Sequence, residues 1–326
     1  MRHLTVDRKE FEQEIKVVME ERRMRTDDNP QSRLFEQMNA VAFQAHPYRR
    51  PIIGWMSDLE AMDAADAKAW YDQWYVPNNA YVVIVGDVDH REVFALAEKF
   101  YGGLEGRALP PRKPQTEPQQ DGTRRVTVKA PAELPVLIMG WKAPVLRDAD
   151  KDSEPYALDM LAAILDGHDA ARFKRKMVRE DKVAISVDAS YDSTARGPGM
   201  FYISGTPADG KTVADLEAAL RAELARIQQE GVSEAELKRA RAQIVAAQTY
   251  KLDSMFGQAM EIGQAESAGI PYRKIERIIE RLQQVTAADV QAAARKIFID
   301  DTLTVGVLDP QPLDGKARRP AVAARH

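Results

Sequence analysis

Two stretches of this 326-residue chain, 223 positions apart, spell the same order of helix cap, helix, break and strand. Met62-Asp-Ala-Ala-Asp66, leading to Trp74-Tyr75 and then Tyr81-Val-Val-Ile-Val85, returns as Val285-Thr-Ala-Ala-Asp289, Ile297-Phe298 and Thr304-Val-Gly-Val-Leu308. Upstream, with a three-residue slip, Val6-Asp-Arg-Lys-Glu-Phe11 lies over Val232-Ser-Glu-Ala-Glu-Leu237. Ordered matches at nearly constant offset point to one domain written twice. The second copy begins near residue 122 and its residue 232 pairs with residue 6. The first copy is therefore expected to begin about 100 residues before Met1, leaving only its later half in this chain.

Composition narrows the partners. There is no cysteine, so disulfides, thiolate zinc sites and cysteine nucleophiles are excluded. With 46 Lys and Arg against 50 Asp and Glu, the charge of -4 gives no electrostatic reason to expect nucleic acid or a membrane surface. No run approaches the roughly 18 to 20 apolar residues of a membrane span.

Periodicity predicts helices over 7 to 27, 31 to 44, 63 to 75 and 90 to 101, with a strand at Ala80 to Val85 before the Gly86-Asp87 turn. Pro110, Pro111, Pro114 and Pro118, among polar residues, mark an extended linker. Beyond it strands are expected at Arg124 to Ala130, Leu134 to Trp141, Val183 to Tyr191, Met200 to Thr206 and Thr302 to Leu308, with helices between. Runs of strands and helices without strict alternation indicate an α+β class with a mainly antiparallel sheet in each tandem domain. The division is 1–106 for the later half of the first domain, 107–121 for the linker, 122–312 for the second, homologous domain and 313–326 for a loose tail.

The first helix carries Glu14 and Glu21, about 20° apart on an ideal helix and beside Val17 and Val18. Two carboxylates on the edge of an apolar face call for a metal, a cation or a proton. The second copy has Ala240 and Ala247 there, as expected when one duplicate holds a site and the other is scaffold. Other candidates read more simply: His46 as a structural loop residue, Trp70, Trp74 and Tyr75 as helix-face packing, His168 with Asp166 and Asp169 as a solvated turn, and Arg172 to Lys176 as a solvated helix face.

Glu14-Ile-Lys-Val-Val-Met-Glu-Glu21, Arg33-Leu-Phe35, His46-Pro-Tyr-Arg-Arg-Pro-Ile-Ile-Gly54, Trp74-Tyr-Val-Pro-Asn-Asn79 and Val83-Ile-Val-Gly-Asp87 together resemble the pitrilysin or insulinase family of zinc metallopeptidases, the inverzincins. The resemblance extends to about residue 310. It implies tandem α+β domains and hydrolysis of peptide bonds in extended or unfolded peptides, with zinc as cofactor. Glu21 matches the third zinc ligand and Glu14 a carboxylate supporting the site. The His-x-x-Glu-His segment of the family occurs nowhere here, the histidines being His3, His46, His90, His168 and His326. Val178 and Ile185 stand where active relatives carry a substrate-binding Arg and Tyr. The resemblance thus implies no catalytic residue in this chain, an incomplete zinc site, and a hetero- or homodimer with a family member that supplies the Arg and Tyr. The alternative is a non-catalytic, peptide-holding subunit. Periplasm or cell envelope is implied by resemblance alone.

Overall fold

The computed structural model describes residues 3–313. The tail expected to be loose lies outside the described residues except for Leu313. Helix α1 (Arg8–Arg22) starts where the Asp7 carboxylate accepts from the Lys9 and Glu10 amides at 2.8 and 3.0 Å. It runs into a π-helical stretch, Arg23–Asp27, and Asn29 then caps α2 (Pro30–Ala42) with Pro30 in its first turn. The short α3 (Met56–Ala61) has no counterpart in the periodicity reading; six residues are too few to show a period. Helices α4 (Ala64–Trp74) and α5 (His90–Tyr101) follow.

The repeated caps are the same device in both copies. Asp63 and Asp66 form a capping box at α4, and Thr286 and Asp289 form one at α11 (Ala287–Ile297).

Residues 80–85, expected as a strand, form none. A strand exists only against a neighbour's backbone, and no described residue pairs with this segment. Tyr81, Val82 and Ile84 are exposed, and the Tyr81 hydroxyl instead donates to the Gly263 carbonyl at 2.7 Å. The aromatic packing expected of α4 also needs correction: Trp70 and Tyr75 are exposed and Tyr71 is the buried ring.

After residues 104–121, which contain neither helix nor strand, five strands form one sheet. They are β1 (Arg124–Pro131), β2 (Val136–Ala143), β3 (Ala184–Tyr191), β4 (Gly199–Pro207) and β5 (Leu303–Gln311). Their order is β1-β5-β2-β4-β3, with β1–β5 parallel and the other three pairings antiparallel. On one face lie α6 (Glu154–Asp166), α7 (Val213–Glu230), α8 (Glu234–Leu252) and α11, around a core that includes Leu137, Met139, Trp141, Leu158, Leu161, Phe201 and Val305. Helices α9 (Met255–Ala268) and α10 (Ile275–Gln284) complete the helical layer.

The opposite face of the sheet is covered by α2. Leu34 and Met38 are fully buried against Val128, Val136, Ile138 and Leu308. The approach is close enough that a Cβ on Gly140 would sit 2.7 Å from the Met38 Cε and 2.9 Å from the Met200 Cε, so a side chain there would have to push both methionine ends aside. Arg124 of β1 donates to the Val41 and Ala42 carbonyls at 2.9 and 2.8 Å, closing the C-terminal end of α2. The expected solvated face at Arg172 to Lys176 is contradicted at Arg172. Its guanidinium is buried and forks onto Glu236 at 2.8 and 2.7 Å, with Glu223 3.5 Å away, because α7 and α8 close over it.

Candidate functional site

With α2 on the sheet, the segment that follows it is carried along the same face and bounds a groove of about 1420 Å³. One wall is the end of α1 with Glu21 and the π-helical stretch after it with Arg25; the other is β4 with Met200 and Tyr202. Phe35 and Asn39 of α2 and the loop Tyr48 to Ile53 close it, over a floor of Val136 and Ile138.

Each wall is fixed by interactions that span the fold. Arg22 is buried beside Glu21 and makes a fork on Glu36 of α2 at 2.8 and 3.0 Å, while also donating to the Gly54 carbonyl at 2.8 Å. The hydrogen bond from Arg22 to Glu36 raises the pKa of the guanidinium in spite of burial. This pins α1, α2 and the end of the loop to each other. Tyr202 donates to the Asn39 side-chain oxygen at 2.6 Å, and its ring stands 5.3 Å from that of Phe35.

The loop is held from both sides. Glu117, from the stretch between the two halves, accepts from the Gln44, Ala45 and His46 amides, each at 2.9 Å, and from Lys142 of β2 at 2.7 Å. Burial raises the Glu117 carboxyl, but the bonds from Lys142, Gln44, His46 and Ala45 outweigh it and hold the group at about 2. Gly197 donates its amide to the Tyr48 hydroxyl at 2.9 Å, and the His46 ring lies so close that a Cβ on Gly197 would be 2.5 Å from its Cε1. The His46 Nδ1 accepts from the Tyr48 amide at 3.2 Å and burial lowers its pKa.

Of the residues given a metal or substrate role from the sequence, Glu21 alone lines the groove, together with Phe35 and Tyr48 to Ile53 of the motifs that carry the family resemblance. Its carboxylate pairs with Arg25 at 2.9 Å and is about one third exposed. Glu14 lies two turns earlier on the exposed side of α1, and Val17 between them is exposed too. Val178 packs against the main core and Ile185 is exposed on β3; neither borders the groove. Among the described residues no three His, Asp or Glu side chains converge to hold a metal ion. The donors present therefore do not fit zinc on their own; Glu21 offers one carboxylate and its nearest ionic partner is a cation. Phe35, Met200, Tyr202 and Glu117 were not legible as site residues, because they meet only through the docking of α2 on the sheet.

Comparison with known proteins places these features in a family. Residues 61–244 match the peptidase M16 inactive domain, a span of 184 residues of 326. Over 242 residues the chain is 31% identical to the zinc protease PqqE of Helicobacter pylori, covering 73% of this chain and 53% of that protein. An uncharacterised zinc protease of Mycobacterium leprae is 27% identical over 295 residues, 90% of this chain and 64% of that protein. The chain thus spans about half to two thirds of the length of these relatives. The crystal structure of a protease from Helicobacter pylori superposes with a TM-score of 0.87 at 25% identity, over 94% of this chain and 74% of that one.

Proposed function

This chain belongs to the peptidase M16 family, and on that premise we propose that it is part of a zinc-dependent endopeptidase that cleaves extended or unfolded peptides. The observation that supports this most is the position of Glu21. It is the one family-matched acidic residue that borders the groove between α1 and the sheet, at the end of the helix locked by Arg22 and Glu36. In this reading Glu21 contributes one carboxylate ligand to a zinc ion whose histidine ligands come from a His-x-x-Glu-His segment outside these 326 residues. Glu14 supports the ligand helix. The chain's own residues bind and orient: the exposed Phe35, Tyr48 and Ile52 around the groove take substrate side chains. A second family member, in a hetero- or homodimer, supplies the Arg and Tyr that Val178 and Ile185 replace. By resemblance the compartment is the periplasm or cell envelope.

A second reading has one observation in its favour: the matched family unit is described as inactive. The chain would then hold peptides without cutting them. The test is hydrolysis of an unfolded polypeptide by the protein as its source makes it, beside a Glu21→Ala variant made in the same host. Hydrolysis by the first and none by the second supports the peptidase. Peptide binding without hydrolysis, unchanged in the variant, supports the holder.

A further inference from the structure

We infer that the groove selects peptides carrying an aromatic or branched aliphatic residue flanked by acidic residues, with Arg49 and Arg50 as the specificity-determining cations. This deepens the peptide-binding reading above and rests on it.

The apolar half of the argument is exposure. Ile52 is fully exposed and Phe35 and Tyr48 are each more than 40% exposed, all three facing one groove. Apolar side chains grouped around a cleft mark a place where a ligand side chain is desolvated. The volume suits an extended segment of several residues rather than one small molecule.

Charge supplies the other half. Within the lining, Glu21 pairs with Arg25, and Glu36 is held by the buried Arg22. Asp192 is engaged by the Thr194 amide and hydroxyl at 2.9 and 2.7 Å. Arg49 and Arg50, both exposed, have no ion-pair partner among the described residues and stand side by side next to Ile52. Arg49 spends one N–H on the Gln44 carbonyl, and its guanidinium keeps further donors for a peptide carboxylate.

Rigidity turns these two properties into specificity. The loop bearing the arginines is fastened at its start by Glu117 and at Tyr48 by Gly197. The opposing loop is fastened in turn by Arg147, which donates to the Ala195, Arg196 and Gly197 carbonyls at 3.1, 2.8 and 3.0 Å. Cations presented on a fixed backbone discriminate between ligand charges with little ordering cost on binding.

The test is fluorescence anisotropy with three labelled peptides of one length and one central Phe, flanked by Glu, by Ala or by Lys, on the unmodified protein and on an Arg49→Gln/Arg50→Gln double variant. The expected result is that the Glu peptide binds about tenfold or more tighter than the Lys peptide at low salt. The double variant should lose that ratio while keeping its melting temperature, and Phe35→Ala should weaken all three peptides. Equal affinity for Glu and Lys peptides, a preference that survives in the double variant, or no binding of any peptide would overturn the inference. The measurement reads binding of intact peptide, so a charge preference without hydrolysis would retain the groove assignment and reject only the peptidase reading.

Discussion

The Glu117 carboxylate and the Lys142 ammonium meet at 2.7 Å, with the amides of residues 44 to 46 on the same carboxylate. Lys142 belongs to the sheet, Glu117 to the stretch that joins the two halves, and the amides to the loop leaving α2. One buried side chain thus ties three parts of the chain, and Lys142 also stands 5.9 Å over the Phe43 ring. Removing the charge leaves Lys142 without its carboxylate partner at a largely buried position.

Glu117→Gln is expected to cost about 2 to 4 kcal/mol in urea unfolding at pH 7. The folded carboxyl sits at about 2, below its ordinary value of 4.5, so its stabilisation is present above pH 4.5 and is lost as pH falls towards 2. The gap between the two proteins should therefore shrink steadily across that window. A gap independent of pH would show that the carboxylate charge is not what holds the loop.

Arg22 and Glu36 make the second tie. Glu36→Gln should lower stability by about 3 kcal/mol, since it breaks the fork on a buried guanidinium that then keeps the Gly54 carbonyl as acceptor and Asp27 at 3.4 Å. Arg22→Lys should not restore it, because an ammonium cannot make the fork on Glu36. Thermal melts of the three proteins decide this; a Lys variant as stable as the original contradicts it.

Gly197→Ala drives a methyl to 2.5 Å from the His46 Cε1 and 2.8 Å from the Tyr48 Cε2. The loops must part, at a cost of about 1 to 3 kcal/mol. Peptide affinity should fall with it, while Tyr48→Phe, which removes only the acceptor for the Gly197 amide, should cost about 1 kcal/mol. Chemical denaturation paired with peptide titration checks both.

What could be read from the chain beforehand was local. The caps Asp7, Asp63 and Thr286 act within three residues, so helix starts and the duplicated helix could be found from spelling alone. The second-domain strands were legible from their apolar runs, but the parallel pairing of β1 with β5 joins residues about 180 apart and leaves no mark in either segment. Tyr81 to Val85 shows the limit from the other side: its composition is that of a strand, and composition without a neighbour makes none. The ties at Arg22, Glu117 and Arg172 escaped for the same reason. Each reads as an ordinary surface charge until the partner helix or strand is placed against it. Glu21 was singled out through its family motif, and its place on the groove wall came only with the fold.

We propose that Glu21 serves as a metal ligand of a zinc peptidase. The direct measurement is zinc content per protein molecule for the protein as its source makes it and for Glu21→Gln, purified alike and dialysed alike. The account predicts close to one zinc in the first, a loss of most of it in the second, and little change in melting temperature beyond the loss of the metal itself. Equal zinc in both, or none in either, would contradict it.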